Sequence, residues 1–174
     1  MTTIVYRDGI LAADRQMSQN GIVHACDAKL VVVKCDTGDV AIGFAGQIAL
    51  GLAFAEWVEK GLVRGEFPAV VSSKDYFHAL LVRPVYGDDA RRVMPHRVEY
   101  WDSALFPLDE TADVYSAQGI GAAIAVGALY QGASAIGAVR AANYHCPDSG
   151  FGISYIDMNS KLGLEVKRAT ANEN

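Results

Sequence analysis

A threonine near the start of the chain could perform nucleophilic catalysis. Removal of Met1 would leave Thr2 with a free α-amine beside its own hydroxyl. A hydroxyl nucleophile with a built-in base is one of the few arrangements that make threonine reactive near pH 7. Initiator methionine is normally removed when the next residue is as small as threonine. The opening Met1-Thr2 therefore predicts an N-terminal nucleophile.

Three further residues could support such a nucleophile. Asp14 ends the predicted strand that pairs with the strand beginning at Thr2, so the two should lie close together. Lys29 opens a third strand, and a buried lysine near a carboxylate has a tunable pKa. Gly43 precedes a predicted helix and could supply a backbone N–H for an oxyanion. Each also has a structural interpretation: a loop cap for Asp14, a solvated strand end for Lys29 and a bulge for Gly43.

Two successive β-hairpins and a helix are the elements that must position these residues. Asp8-Gly9, a favoured turn dipeptide, connects the first hairpin. Both hairpins are nearly continuous in apolar residues, which predicts strands covered on both faces. After Gly46 the apolar period changes to that of a helix ending near Lys60. The hairpins pair residues 2–7 with 9–13 and residues 29–35 with 40–45.

The later part of the chain predicts more strands and two more helices, the second with Ser134 as its N-cap. The order hairpin, hairpin, helix, strands, two helices, strands favours one α+β domain over residues 1–174. We expect a four-layer αββα sandwich of two antiparallel sheets. The predicted strands are 78–83, 97–101, 114–117, 151–157 and 162–167, and the predicted helices are 122–131 and 135–144.

Together these motifs resemble the proteasome β-type peptidases, in particular their bacterial HslV-like branch, which have the N-terminal nucleophile hydrolase fold. The resemblance covers roughly residues 2–60 and 112–158. The matching segments are T-T-I-V at 2–5, D-G-I-L-A-A-D-R at 8–15, D-A-K-L at 27–30, A-I-G-F-A-G at 41–46, G-x-x-x-A-V-G-A-L at 121–129 and D-S-G at 148–150.

The resemblance implies a threonine endopeptidase that cuts peptide bonds inside a closed ring. Thr2 would be the nucleophile, Asp14 and Lys29 would support it, and the Gly43 N–H would form the oxyanion hole. Its partners would be peptides or unfolded proteins, other copies of the chain in a ring of 12 or 14 subunits, and an ATPase unfoldase.

The same resemblance implies further site residues around the nucleophile. The substrate-binding residues would be Met17, Ser18, Asp27, Ala41 and Ala45, and the supporting residues would be Asp148 and Ser149.

Two positions depart from the pattern of that family. Ile120 stands where a serine is usual, and Cys146 stands where an aspartate is usual, with Asp148 as a substitute. Both departures fall on residues that tune the nucleophile's amine. They leave two alternatives open, a ring that has lost catalysis and serves as a scaffold, and a hydrolase of small amides that forms no chamber.

Composition and motif spacing argue against other classes of protein. The net charge of −5 disfavours nucleic acid as a partner. No apolar run approaches the roughly 20 residues of a membrane span, and the start lacks the basic region of a signal peptide. Three cysteines without C-x-x-C predict reduced thiols in the cytoplasm. We expect no cofactor and no metal, because the histidines lack ligand spacing and Gly119-Ile120-Gly121 lacks the third glycine of a dinucleotide motif.

Overall fold

The structure, a computed structural model, describes residues 2–63, 67, 76–85, 96–109 and 115–173. In these ranges the chain forms three helices, α1 (Ile48–Glu59), α2 (Ala122–Tyr130) and α3 (Ala135–His145). The strands are β1 (Thr3–Arg7), β2 (Ile10–Asp14), β3 (Gln16–Gln19), β4 (Ile22–Ala25), β5 (Leu30–Val33), β6 (Val40–Gly46), β7 (Phe77–Pro84), β8 (His96–Asp102), β9 (Leu108–Asp109), β10 (Tyr115–Gly119), β11 (Ile153–Asp157) and β12 (Lys167–Arg168).

These strands form three antiparallel sheets, which corrects the predicted architecture. The first sheet has the order β10-β1-β2-β11-β12, the second is the hairpin β3-β4, and the third has the order β5-β6-β7-β8-β9. The four-layer αββα sandwich of two antiparallel sheets is therefore wrong for the described residues. These contain a third sheet and only three helices, of 12, 9 and 11 residues.

The extra sheet comes from a hairpin over residues 16–25, for which the sequence predicts no strand. Asn20 and Gly21 form its turn, with φ values of 52° and 77°. Positive φ at two successive turn residues is the geometry that Asn-Gly favours in a two-residue hairpin. The side chains of β4 are exposed throughout. Without an apolar face to mark it, this ribbon could be recognised only from its turn dipeptide.

Burial on both faces of β1 and β2 follows the prediction from their apolar runs. Ile4 and Tyr6 join a core cluster made by side chains of both five-stranded sheets. Val5, which points to the opposite face, packs with Leu129 of α2 and Val139 of α3. Successive side chains of a strand alternate between faces, so a fully apolar strand needs a covering on each side.

An aromatic cluster fixes α1 on the third sheet. The Phe54 ring centroid lies 5.4 Å from that of Trp101, and the Trp57 centroid lies 5.8 Å from that of Trp101. Gly51 permits the close approach, because a Cβ at this position would lie 2.1 Å from the Phe44 ring. Because α1 begins at Ile48, two residues after the end of β6, its first residues lie beside the end of that strand.

Ser134 caps α3 as the sequence predicts, since its hydroxyl accepts a hydrogen bond from the Gly137 N–H at 3.0 Å. The predicted strand at 162–167 is wrong, because only Lys167–Arg168 pairs with β11. The charged run at residues 88–92, which predicts a solvated hairpin tip, lies outside the described residues. No helix in the described ranges is long and apolar enough to cross a membrane.

Replacing Phe54 with alanine should lower the free energy of unfolding by about 3–5 kcal/mol, since it removes the central ring of the cluster and leaves a cavity. Leu52→Ala on the exposed side of the same helix is the matched control and should change it by less than about 1 kcal/mol. Chemical denaturation followed by tryptophan fluorescence measures both. Equal losses in the two variants would contradict this packing.

Candidate functional site

The start of β1 is held between β2 and β10. Ile4 pairs with Ala13, so the end of β2 lies beside the beginning of β1. The Thr3 N–H donates to the Asp14 carboxylate at 2.7 Å, and the Thr2 carbonyl accepts from the Ile120 N–H at 2.8 Å. Thr2 is only 4% exposed. Backbone hydrogen bonds on both sides thus fix the position of this threonine.

Asp14 is fully buried and accepts hydrogen bonds from several parts of the chain. Besides Thr3, its carboxylate accepts from the Gln16 N–H at 2.9 Å and from the Gly150 N–H at 3.3 Å. The Lys29 ammonium lies 2.9 Å and 3.0 Å from the two carboxylate oxygens. A buried charge is tolerated when it is paired and its lone pairs are satisfied. The sequence prediction that Asp14 lies close to Thr2 agrees with this geometry.

Lys29 is the residue just before β5, and its side chain forms an ion pair with Asp14. Its side chain is 4% exposed and also borders a cleft that contains Thr2. Burial lowers the pKa of Lys29, and the Asp14 carboxylate offsets this only in part. The ion pair therefore connects the first and third sheets at the position where the chain starts.

A chain of hydrogen bonds runs from the buried Thr3 toward the surface on the other side of β1. The Thr3 hydroxyl donates to the Ser149 hydroxyl at 3.0 Å, which donates to the Asn143 side-chain carbonyl at 2.6 Å. The Asn143 amide in turn donates to the Gly152 carbonyl at 3.2 Å. Asp148, expected as a supporting residue, is half-buried and lies outside this chain. Sequence reasoning missed Asn143, which carries no signal beyond its place in a predicted helix.

Two clefts meet at Thr2 and Gly46. The first cleft has a volume of about 520 Å³ and the second about 370 Å³. The first cleft is also lined by Met17, Ser18, Lys29, Gln47, Ile48 and Ala49. The second cleft is also lined by Ala45, Tyr76, His78, Gln118, Gly119, Ile120 and Ala122. Thr2 thus lies at the boundary between two binding surfaces.

The residues predicted to line one substrate pocket are divided by the structure. Met17 and Ser18 line the first cleft, whereas Ala45 lines the second. Ala41 is fully buried in the core between the two five-stranded sheets and lines neither, which corrects that prediction. Ala41 and Ala45 lie on the same face of β6, but Ala41 lies at the end of the strand that is far from the site.

Asp27 also lines neither cleft. Its carboxylate accepts from Arg15 at 3.1 Å and from Arg168 of β12 at 2.6 Å. Hydrogen bonding to Arg15 holds the pKa of Asp27 below its ordinary value. The structure therefore gives Asp27 a role in joining the loop before Lys29 to the last strand, not in the predicted pocket.

Gly43 is not placed to serve as the predicted oxyanion donor. It pairs with Leu80 of β7, and a Cβ there would lie 2.7 Å from Ile4 in the core. The next amide, that of Phe44, donates to the Lys29 carbonyl on the β5 side. Successive amides of a strand point to opposite sides, so the Gly43 N–H is directed to β7.

Gly46 has the geometry that Gly43 lacks. The Phe44 N–H donates to the Lys29 carbonyl on the β5 side, and the pairing of β5 with β6 ends there. Strand alternation directs the N–H two residues later, at Gly46, to the same side, and Gly46 lines both clefts. Its φ of 98° favours glycine, and a Cβ would lie 2.4 Å from the Tyr76 carbonyl oxygen. The sequence signal that could have identified this residue is the second glycine in Gly43-Phe44-Ala45-Gly46.

The described ranges contain no group of three or more histidine, cysteine, aspartate or glutamate side chains that could hold a metal ion. What the site offers is a hydroxyl, a buried ion pair and backbone donors at the meeting point of two clefts. These are groups for acyl transfer to a side-chain oxygen.

No protein-family model matches the sequence, and no curated protein is similar to it. The fold is similar to that of the solved structure of Anbu (ancestral beta-subunit) from Yersinia bercovieri, with a TM-score of 0.71 and 12% sequence identity. The likeness covers 99% of this chain and 88% of that one. At this identity the two proteins share a fold.

These comparisons correct the family predicted from the short motifs. Membership of the HslV-like peptidases finds no support, because no family model matches and the similar solved structure, an ancestral β-subunit, has only 12% sequence identity. Motifs of four to eight residues around two hairpins reflect the fold and its first strands more than a close relationship.

Replacing Asp14 with asparagine should lower the free energy of unfolding by about 3–5 kcal/mol, because Lys29 would keep a buried charge without its partner. Asp39→Asn is the matched control: it breaks the ion pair with the largely exposed Lys34 and should cost less than about 1 kcal/mol. Urea denaturation near neutral pH measures both. Similar losses of unfolding free energy in the two variants would show that burial does not make breaking the Asp14–Lys29 pair more costly.

Proposed function

We propose that this protein is a threonine peptidase, in which Thr2 is the nucleophile after cleavage of the Met1–Thr2 bond. The observation that carries the proposal is the position of Thr2 at the boundary of two clefts, with the buried Lys29–Asp14 pair beside it. A peptide crossing from one cleft to the other would present a carbonyl carbon to the threonine hydroxyl.

The reaction then runs in two balanced steps. The Thr2 oxygen bonds to the peptide carbonyl carbon, and its hydroxyl proton passes to the Thr2 α-amine. The C–N bond breaks as that proton moves to the leaving amine, which leaves an ester on Thr2. Water attacks the ester, again losing a proton through the α-amine, and the threonine oxygen regains a proton as the acid departs.

Lys29 supports the amine as base. A positive charge close to an amine favours the neutral form of that amine, which is the form able to accept a proton. Asp14 fixes the lysine through both carboxylate oxygens. Arginine would not replace Lys29, since its larger planar head requires a different set of acceptors.

Gly46 supplies the donor for the developing oxyanion in this proposal. Strand alternation directs its N–H to the β5 side of β6, beyond the last residue paired with β5, and Gly46 lines both clefts. A preorganised backbone donor of this kind typically contributes ~10²–10³ in rate. The left-handed backbone at Gly46 is the means by which the chain turns from β6 toward α1 while leaving that N–H unpaired with β5.

The first cleft would bind the side chain before the cut bond. Met17, Ile48 and Ala49 give it apolar walls, and Ser18 adds a hydroxyl. Two of the predicted pocket residues, Met17 and Ser18, line this cleft, and residues at the start of α1 take the place of the others.

A closed homo-oligomer is the assembly we propose. Large apolar side chains are exposed on the helices, including Tyr130 at 77% and Tyr144 at 85%. Burying such surface between copies of the chain is favourable, at about 25 cal/mol per Å². A ring of 12 or 14 subunits and an ATPase unfoldase stay predictions.

Thr2→Ala should reduce cleavage of an unstructured peptide by about 10⁴-fold or more, because the nucleophilic oxygen is lost. Thr2→Ser keeps an oxygen and an α-amine and should retain measurable activity. Initial rates from a quenched fluorescent peptide, with circular dichroism to check folding, provide the comparison. An alanine variant as active as the parent would show that another group is the nucleophile.

Light scattering at micromolar concentration and moderate salt should give a mass many times the chain mass of 18.6 kDa. The physical reason is the exposed apolar surface of α2 and α3. A mass near that of one chain would contradict the assembly and favour a hydrolase of small amides that works without a chamber.

A further inference from the structure

The second cleft differs in chemistry from the first. Among its described lining residues there is no aspartate, glutamate, lysine or arginine, whereas the first cleft contains Lys29. Two large side chains border it and remain open to solvent, Ile120 at 55% and Tyr76 at 54%. Ala45 and Ala122 add small apolar surfaces. A charged group entering this cleft would lose water without gaining an opposite charge.

His78 gives the second cleft a fixed flat wall. Its Nδ1 atom lies 2.6 Å from the Tyr100 hydroxyl, and the two rings stack at 20° with centroids 5.8 Å apart. The Tyr76 ring lies 6.0 Å from the His78 ring at an angle of 58°. Rings held in this way offer faces and edges against which another planar side chain can pack.

The position of this cleft defines which part of a substrate reaches it. Thr2 and Gly46 line both clefts, so a carbonyl placed between the threonine oxygen and the glycine N–H has one cleft on each side. With the side chain before the cut in the first cleft, the chain after the cut continues into the second.

From these observations we infer that the second cleft is a specificity site for the residue that follows the cut bond, and that it selects an aromatic or large apolar side chain. The inference rests on the proposed function. It also gives Ile120 a role, because an isoleucine at this turn forms an apolar wall that a hydroxyl residue would not provide.

Binding of uncleaved peptides to the Thr2→Ala protein tests this selectivity without turnover. Two peptides differ only in the residue after the intended cut, phenylalanine or aspartate. Fluorescence anisotropy should show the phenylalanine peptide binding about tenfold more tightly. In the same background, Ile120→Ala and Tyr76→Ala should each reduce that ratio severalfold, mainly by weakening the phenylalanine peptide. Leu162→Ala, at a residue 99% exposed and outside both clefts, should leave the ratio unchanged.

A ratio that neither Ile120→Ala nor Tyr76→Ala changes would overturn the inference, as would tighter binding of the aspartate peptide. Hydrolysis of the same two peptides by the protein with Thr2 intact is measured separately. If neither is cut while the binding ratio still depends on Ile120 and Tyr76, the proposed peptidase function fails and the selectivity of the cleft stands. If both are cut at ratios that the two variants leave unchanged, the function stands and the selectivity fails.

Discussion

The buried contact between Lys29 and Asp14 is the interaction on which the arrangement of the site depends. Two charged groups that are buried away from water offset their lost hydration only by pairing with each other and making further hydrogen bonds. Asp14 obtains these from backbone N–H groups at Thr3, Gln16 and Gly150. The pair therefore brings together the start of β1, the end of β2, the entry to β5 and the loop after α3.

This convergence of backbone and side-chain contacts places Thr2 at the start of β1. The register of β1 with β2 sets Asp14 beside the strand start, and the hydrogen bond from Ile120 to the Thr2 carbonyl brings the turn before α2 alongside. Because β6 turns into α1 at Gly46, the third sheet closes the site from the opposite side. The two clefts are the spaces left where these elements meet, and the chemistry that we propose uses both.

Much of the local structure could be predicted from the sequence, because it follows from the spacing of apolar residues and from the residue types that favour turns and caps. The first hairpin, the burial of β1 on both faces and the Ser134 cap are of this kind. The hairpin at 16–25 was recognisable from Asn20-Gly21 but has no apolar pattern. Gly43 and Ala41 could not be separated from Gly46 and Ala45 by residue type, since only the end of the β5–β6 pairing decides which of them reaches the site. The position of Asp27 could not be predicted, because its carboxylate is held by Arg168, which is distant in sequence.

Covalent labelling of the processed protein by a peptide β-lactone tests the central claim most directly. The Thr2 oxygen should open the lactone ring and retain all of its atoms, so intact mass should rise by the mass of one probe per chain. Peptide mapping should place the ester on Thr2, and the Thr2→Ala protein should stay unlabelled. Absence of any adduct on protein whose Thr2 α-amine is free, or an adduct at Cys26 or Cys146 instead, would contradict the assignment of Thr2 as nucleophile.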